Sequence, residues 1–301
     1  MRLNKRIFVP DTSGIDSISD PLLLATALLK IERARRETYY SKYLRCSEIA
    51  RVCVRENAIG WHYGMKKVEF INESSQLTFD IGTAVHRFMQ NSGSYFGKDF
   101  LGWRECLACG STVFGSFSQG RCQKCNAPGK ASRYIEKEFK IPSPLPLSGH
   151  IDGFLKVCGG DVRIVDLKTI NGPDFDALCS PIGDHVAQVV SYMIGCEESN
   201  DLPVAVNLES AFLIYISKKH EAKSIPVKAF HVRRMKSVED SIRKDLEAFN
   251  AALSTGKLPA PIDACRRSGF KSYRARSCAV SSYCQKLLAG CNRLQKGEDK
   301  E

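Results

Sequence analysis

The spacing of apolar residues predicts an alternation of helices and strands along most of the chain. A helical stripe is clearest at 237–253, where every third or fourth residue is apolar: Val238, Ile242, Leu246, Phe249 and Leu253. Further helices are predicted at 21–57, 79–89 and 181–196. Strands are predicted at 134–141, 209–216 and 227–232, together with a hairpin within 149–168 that turns at Gly159 and Gly160. In a chain of 301 residues, 43% of them hydrophobic, these elements can bury a sizeable core.

The hairpin carries two carboxylates and a lysine. Its turn would bring Asp152 near Asp166, and the alternation along its second strand places Asp166 and Lys168 on one face. Carboxylate oxygens can hold Mg²⁺ or Mn²⁺ against a phosphate, and a lysine can steer or activate the attacking water. The group predicts phosphodiester hydrolysis, while the simpler alternative is a charged, solvated face on an ordinary hairpin.

The charge of the chain indicates a polyanionic partner. Lys and Arg number 44 against 33 Asp and Glu, a net charge of +11, which favours nucleic acid but is also compatible with a merely basic surface. Tyr39, Tyr40 and Tyr43 lie among Lys and Arg, where they could stack on bases or form the edge of a core.

No apolar run reaches the eighteen residues that a membrane span needs. The longest apolar stretch near the N-terminus, 21–29, passes directly into charged residues, so a signal peptide is not predicted either. We therefore expect a cytoplasmic protein with no membrane partner.

The first cysteine group predicts a zinc ribbon. The chain has 13 cysteines, and in a reducing compartment grouped cysteines are more typical of metal sites than of disulfides. Two Cys-x-x-Cys pairs are separated by twelve residues: Cys106, Cys109, Cys122 and Cys125. Four such thiolates suit a tetrahedral Zn²⁺, whose binding would supply the folding free energy of this segment. The ribbon could be a structural insert or a DNA-contacting module.

A second group contains six cysteines: Cys46, Cys53, Cys265, Cys278, Cys284 and Cys291. Four thiolates from it would suit an iron-sulfur cluster or a zinc ion. The remaining Cys158, Cys179 and Cys196 have no metal-ligand spacing, and we expect them to be small core residues.

Five short motifs follow one another in a fixed order. They are Gly82-x-x-x-His86, a glutamate at Glu136 or Glu138, Gly149-x-x-Asp152, Asp166-x-Lys168 and Gln188-x-x-x-Tyr192. In this order they resemble the PD-(D/E)XK nuclease superfamily, and more narrowly its RecB-like branch, which includes the CRISPR-associated iron-sulfur exonucleases.

The resemblance implies an α/β fold, a restriction-endonuclease-like central mixed sheet flanked by helices, with an inserted four-cysteine zinc ribbon and a cysteine-bound C-terminal tail. The corresponding regions are an N-terminal helical region at 1–99, the ribbon at 100–130, the nuclease core at 131–258 and the cysteine-rich tail at 259–301.

The resemblance also implies a role for each motif residue. His86, Asp152, Asp166 and the Leu167 carbonyl would bind Mg²⁺ or Mn²⁺, and Lys168 would position or deprotonate the water. Glu136, with Glu138 as the alternative, would assist through the water shell of the metal. Gln188 and Tyr192 would hold the DNA strand.

In the tail, the resemblance implies a [4Fe-4S] cluster held by one cysteine before the histidine motif and three after the core. The best set is Cys46, Cys265, Cys278 and Cys284, with Cys53 and Cys291 in reserve. The Cys-x-x-Cys pair usual in that family is absent, because twelve residues separate Cys265 from Cys278, so Zn²⁺ remains an alternative.

The function implied is a metal-dependent DNA exonuclease acting on single strands or DNA ends. Recombination, replication or repair in a bacterium, or in a phage-infected bacterium, would be its setting, with proteins of those processes as possible partners. The alternatives are a structure-specific endonuclease and a catalytically idle DNA-binding assembly factor. The intact Asp152, Asp166 and Lys168 argue against the idle factor.

Overall fold

The computed structural model of the protein describes residues 34–71, 73–91, 97–116, 121–128, 132–157, 159–199, 202–218, 227–290 and 294. The strands in these ranges are β1 Ala34–Tyr39, β2 Leu44–Arg45, β3 Lys66–Ile71, β4 Phe100–Cys106, β5 Thr112–Ser116, β6 Ser132–Ile135, β7 Glu138–Ile141, β8 Leu147–His150, β9 Gly153–Lys156, β10 Val162–Ile170, β11 Ser210–Ser217 and β12 Val227–Arg233. The α-helices are α1 Val54–His62, α2 Glu73–Asn91, α3 Gly172–Ala177, α4 Gly183–Ser199, α5 Lys236–Thr255, α6 Asp263–Arg266, α7 Tyr273–Arg276 and α8 Ser281–Ala289. Short 3₁₀ helices cover Cys46–Arg51 and Gly97–Asp99.

The centre of the fold is a seven-stranded mixed sheet. Its order is β12-β11-β10-β9-β4-β5, with β6 beside β4. The β10–β11 pair is parallel, whereas β9–β10 and β11–β12 are antiparallel. The expected α/β class and central mixed sheet are thereby confirmed.

Helices cover both faces of this sheet at β10. Val165 and Leu167 pack with Met89 of α2, while Ile164 belongs to the larger core together with Val190 of α4. The middle of β10 is buried on both faces, at Ile164, Val165 and Leu167. Asp166 is a buried carboxylate among these apolar side chains, which is unusual for a charged residue.

The chain changes sheets between β8 and β9. β8 lies in a three-stranded sheet of order β2-β8-β7, whereas β9 pairs with β10 in the central sheet. Ile151 and Asp152 form the link between them. The predicted hairpin is confirmed, with β9 and β10 as its strands, and Asp152 lies at the point of divergence.

Two predicted elements differ from the structure. The part of the predicted 21–57 helix from residue 34 onward is mostly not helical: it forms β1, β2 and a 3₁₀ helix before α1, and 21–33 lies outside the described residues. All six residues of β1 pair in antiparallel register with β3, and the sequence of β1 alone does not predict this pairing. The predicted strand at 134–141 is two strands, β6 and β7, interrupted at Glu136 and Lys137.

The other predicted elements are confirmed. The helix at 79–89 lies within α2, and those at 181–196 and 237–253 correspond to α4 and α5, while the two late strands are β11 and β12. Among the described helices, none combines the length and the apolar character needed to cross a bilayer.

Candidate active site and metal centres

Asp152 is held at the end of the β9–β10 ladder by a backbone group. The antiparallel pairing of the two strands ends with Gly153 opposite Val165. Two residues further along β10, the Leu167 N–H donates to Asp152 Oδ2 at 2.7 Å. The Asp152 carboxylate thus accepts the Leu167 N–H beyond the last β9–β10 residue pair, and this hydrogen bond fixes the orientation of the carboxylate.

Asp166 and Lys168 form a close ion pair on the opposite face of β10 from Leu167. Lys168 Nζ donates to Asp166 Oδ1 at 2.9 Å and lies 2.7 Å from Oδ2. Oδ2 is outside hydrogen-bonding geometry with that ammonium, so this buried oxygen has no donor among the described residues. Burial raises the pKa of Asp166 to about 6, and the Lys168 charge partly offsets that effect.

His86 approaches the same place from α2. Gly82 precedes it by one turn, and a Cβ on Gly82 would lie 2.9 Å from Thr169 Oγ1, so glycine allows α2 to pack closely on β10. His86 Nδ1 lies 3.7 Å from Asp152 Oδ2. Burial lowers the pKa of His86, but the contact with the Asp152 carboxylate outweighs burial, and the net effect is a raised pKa.

His86, Glu136 and Asp152 form a possible metal-binding group. One ligand atom from each lies within 4.8 Å of the others. Glu136 comes from the break between β6 and β7, and Glu138 instead pairs with Lys140 at 2.8 Å. The structure therefore places Glu136, and not Glu138, beside His86 and Asp152. Asp166 is not one of the residues in this group.

These residues suit a hard divalent cation. Two carboxylates and an imidazole are available, and the adjoining Asp166 carboxylate is paired with the Lys168 ammonium. Carboxylate oxygens are the ligands that hard divalent cations prefer in proteins. The donor set therefore fits Mg²⁺ or Mn²⁺.

Gln90 and Tyr134 support this group and did not stand out in the sequence. Gln90 Nε2 donates to Glu136 Oε1 at 3.0 Å and to the Asp152 carbonyl at 3.1 Å. The Tyr134 hydroxyl donates to the same carbonyl at 2.6 Å. Gln90 follows His86 by four residues on α2, a helical spacing that could have predicted it.

Gln188 and Tyr192 lie one turn apart on α4. Gln188 Nε2 donates to the Tyr192 hydroxyl at 2.6 Å. Tyr192 is 3% exposed and packs against Phe139, and burial raises its pKa well above the usual value. Gln188 lines the cleft described in the next paragraph, whereas the buried Tyr192 hydroxyl holds the Gln188 amide in place.

A cleft of about 820 Å³ opens beside Lys168. Its basic lining residues include Arg45, Arg51, Lys67 and Arg274, and its aromatic ones include Tyr39, Tyr40, Tyr43 and Phe79. Tyr39 is 64% exposed and Phe79 is 52% exposed. A smaller cavity of about 400 Å³ contains His86, Glu136 and Asp152.

The four ribbon cysteines are arranged for one metal ion. Their sulfur atoms all lie within 4.8 Å of one another, and the Cys106–Cys125 and Cys109–Cys122 pairs are each 3.7 Å apart. Tetrahedral zinc with Zn–S bonds of about 2.3 Å requires sulfurs about 3.8 Å apart. Hydrogen bonding from Ser111 lowers the pKa of Cys122 to about 6, which favours the thiolate. The expected cluster of four cysteines is thus present.

The ribbon is joined to the central sheet. β4 ends at Cys106, the first ribbon ligand, and begins with Phe100 and Leu101 paired to β9. The first Cys-x-x-Cys pair therefore extends from a strand that also neighbours the β9–β10 hairpin.

In the tail, the structure brings together Cys53, Cys265, Cys278 and Cys284, and not Cys46. Cys53 and Cys265 each interact electrostatically with Cys284, and Cys278 with Cys53. Burial raises the pKa of Cys53 to about 11 and that of Cys278 to about 12. Their sulfurs do not form a group as compact as that of the ribbon.

Cys46, which the expected ligand set includes, lies apart from these tail cysteines. Its thiol is hydrogen-bonded to Ser191 and is close to Cys196, and a Cβ on Gly149 would lie 2.8 Å from its sulfur. It is a core residue beneath the Gly149-x-x-Asp152 motif. Cys53, at the start of α1, lies on the side of the tail instead; Cys291 is outside the described residues, as is Cys158.

Comparison with known proteins gives distant structural similarity only. No protein-family model and no curated protein matches the sequence. Among solved structures, the chain is similar to LHK-Exo in complex with dAMP, with 13% identity, 70% of this chain and 88% of that chain covered, and a TM-score of 0.40. It is also similar to SSO0001, with 11% identity, coverages of 79% and 88%, and a TM-score of 0.34.

Proposed function

We propose that this protein is a metal-dependent DNA exonuclease that hydrolyses phosphodiester bonds at the ends of single strands. The observation that carries the proposal is the convergence of His86, Glu136 and Asp152 beside the Asp166–Lys168 ion pair, next to a basic and aromatic cleft. The setting is the bacterial cytoplasm, with proteins of recombination, replication or repair as partners.

His86, Glu136, Asp152 and Asp166 would hold Mg²⁺ or Mn²⁺, with the Leu167 carbonyl completing the set. When bound, the cation lowers the pKa of a water molecule and neutralises charge that develops on the phosphate. Hydrogen bonds within the protein orient these metal-binding side chains before the metal binds. The Leu167 N–H fixes Asp152, and the Gln90 amide fixes Glu136.

Lys168 positions the attacking water as an ammonium group, or deprotonates it when its amine is neutral. Asp166 holds its ammonium group, and the lysine side chain reaches the cleft, because it is one of the residues that line it. Gln188, fixed by Tyr192, donates to the DNA backbone from the same wall.

The cleft residues suit a single strand. Arg45, Lys67 and Arg274 can contact phosphates, which supplies the salt-dependent part of binding. Tyr39 and Phe79 can stack on bases, and base faces are accessible in single strands but not inside a duplex.

The tail contributes Arg274 to the lining of the cleft. Arg274 lies between Cys265 and Cys278 in sequence, and its guanidinium donates to Glu56 Oε2 at 2.6 Å. Glu56 also accepts from the Tyr40 hydroxyl at 2.9 Å. A metal centre in the tail would therefore help to keep Arg274 and Tyr40 in the DNA cleft.

For the metal centres, we propose Zn²⁺ in the ribbon and a [4Fe-4S] cluster held by Cys53, Cys265, Cys278 and Cys284. The compact ribbon sulfurs suit one ion, whereas ligand thiolates of a four-iron cluster lie farther apart because four iron atoms separate them. Zn²⁺ in the tail is the alternative.

The proposal is tested by anaerobic purification and assay on end-labelled linear single-stranded, linear double-stranded and circular DNA with Mg²⁺ or Mn²⁺. We expect the linear single strand to be degraded and the circle to survive. Asp166→Ala and Lys168→Ala should each reduce cleavage by about 10²-fold or more while DNA binding persists. Lys156→Ala, an exposed lysine at the end of β9, is the matched control.

Each other outcome has a definite meaning. Cleavage of circles would favour an endonuclease, and DNA binding without turnover would favour an assembly factor. Undiminished cleavage by both Asp166→Ala and Lys168→Ala would overturn the assignment of the active site.

A further inference from the structure

His185 lines the cleft beside Lys168 and Gln188, yet none of the nuclease motifs includes it. It occupies the first turn of α4, one turn before Gln188. Its Nδ1 atom lies 2.9 Å from the Tyr215 hydroxyl. Tyr215 is fully buried on β11 and is the register partner of Lys168 in the parallel β10–β11 pair.

Hydrogen bonding at Tyr215 fixes the imidazole. The Tyr215 oxygen accepts the Ile182 N–H at 3.0 Å, so its single proton is available for His185 Nδ1. This arrangement satisfies all three groups and assigns the remaining ring proton to Nε2. Because the two ring nitrogens point in different directions, an Nδ1 directed at buried Tyr215 leaves Nε2–H directed away from it, on the cleft side.

The charges around His185 also suit a phosphate. Burial, and then the nearby charge of Lys168, lower the pKa of His185 to about 4, so the imidazole is neutral. Asp184, the next residue, also lines the cleft, but its carboxylate is paired with Arg51. A neutral N–H donor and a lysine thus lie on one wall, with the nearby acidic group compensated.

We propose that His185 is a phosphate-binding residue of the active site, which donates Nε2–H to a non-bridging oxygen of the DNA next to Lys168, and that Tyr215 is the positioning residue that sets its tautomer. This inference rests on the proposed nuclease function. It adds a DNA contact that the motif residues do not supply.

The test uses a series of single-stranded oligonucleotides, each with one uncharged methylphosphonate linkage at a different position from the end. Affinity is measured by fluorescence anisotropy with Ca²⁺ in place of Mg²⁺. For the wild-type protein, one linkage near the end should weaken binding by about tenfold, as expected for a hydrogen bond to a charged group. His185→Ala should bind the unmodified strand about tenfold more weakly and should show no further loss at that linkage.

Three variants make the result specific. His185→Gln keeps an N–H donor and should recover part of the affinity. Tyr215→Phe frees the ring and should give a smaller loss at the same linkage. His231→Ala is the control, because His231 is also hydrogen-bonded, to Ser210 at 2.8 Å, but does not line the cleft. Thermal melting and metal content verify that each variant is folded.

Equal sensitivity of wild type and His185→Ala to every linkage would overturn the proposal, as would unchanged affinity. Failure of the nuclease function is distinguishable, because it would appear as absence of cleavage by the wild-type protein with Mg²⁺. A linkage-specific effect of His185 without cleavage would retain the phosphate contact and reject the nuclease.

Discussion

Asp152 Oδ2 accepts the Leu167 N–H at 2.7 Å, so one carboxylate oxygen both completes the sheet and faces the proposed metal ligand His86. Substitutions can separate these two roles. Asp152→Asn retains an oxygen for the Leu167 N–H but loses the charge that attracts a cation. Asp152→Ala loses both, and leaves a buried N–H without an acceptor.

We therefore expect both variants to lose Mn²⁺ binding by calorimetry, but only Asp152→Ala to lose about 1–3 kcal/mol in free energy of unfolding. Urea denaturation of the metal-free proteins measures that difference. Equal stability of the two variants would show that the backbone contact contributes nothing, and Mn²⁺ binding by Asp152→Asn at wild-type strength would exclude Asp152 as a ligand.

Glu136 and Glu138 provide a matched pair two residues apart. Only Glu136 lies in the group with His86 and Asp152, whereas Glu138 pairs with Lys140. Glu136→Gln should weaken Mn²⁺ binding by about tenfold or more, and Glu138→Gln should leave it unchanged. Isothermal titration of the two variants decides, and the reverse order of effects would restore the alternative assignment.

Cys53 and Cys46 provide a second matched pair. Because Cys53 lies with the tail cysteines and Cys46 lies in the core, Cys53→Ser should lose the tail metal and Cys46→Ser should retain it. Elemental analysis of anaerobically purified protein measures iron and zinc separately. The ribbon zinc, one per chain, should persist in both variants and serves as the internal standard. Loss of the tail metal only in Cys46→Ser would contradict the structure.

The neutral state of His185 predicts a pH dependence of stability. Its pKa is lowered from 6.5 to about 4, chiefly by burial and then by Lys168. Because this pKa is lower in the folded protein, the unfolded chain binds the proton more readily. The stability that the protein gains from keeping His185 neutral is therefore complete above about pH 6.5 and is lost as the pH falls towards about 4. The full shift corresponds to about 3 kcal/mol, which partial exposure reduces to about 1–2 kcal/mol.

His185→Gln has no such proton to bind. The stability difference between wild type and this variant should therefore decline by about 1–2 kcal/mol between pH 7 and pH 4, as measured by urea denaturation at each pH. His231→Ala serves as the comparison at a histidine outside the cleft. A difference that is independent of pH would show that His185 is not held neutral.

The elements with strong local signals were predictable from the sequence. The α5 stripe, the Gly159–Gly160 turn of the hairpin and the apolar runs of β11 and β12 each depend on neighbouring residues, and the structure has them where expected. β1 was not predictable, because its strand conformation depends on pairing with β3, about thirty residues away.

In the candidate active site, too, some relationships were predictable from the sequence and others were not. Spacing along β10 placed Asp166 and Lys168 on one face, and the hairpin brought Asp152 close to them. The sequence favoured Glu136 but left Glu138 as the alternative, since both lie in one predicted strand. The break between β6 and β7, which separates two sheets, directs Glu136 to the site and leaves Glu138 with Lys140.

By itself, the sequence determined the residue types, the hairpin, the order of the motifs and the two Cys-x-x-Cys pairs, because each depends on short-range spacing. Only the tertiary structure decided that Cys53, and not Cys46, lies with the tail cysteines. It also decided that Gln90 and Tyr134 donate to the Asp152 carbonyl and that His185 lines the same cleft as Lys168. Those relationships join residues from separate elements, and they depend on how helices and sheets pack, which no local period encodes.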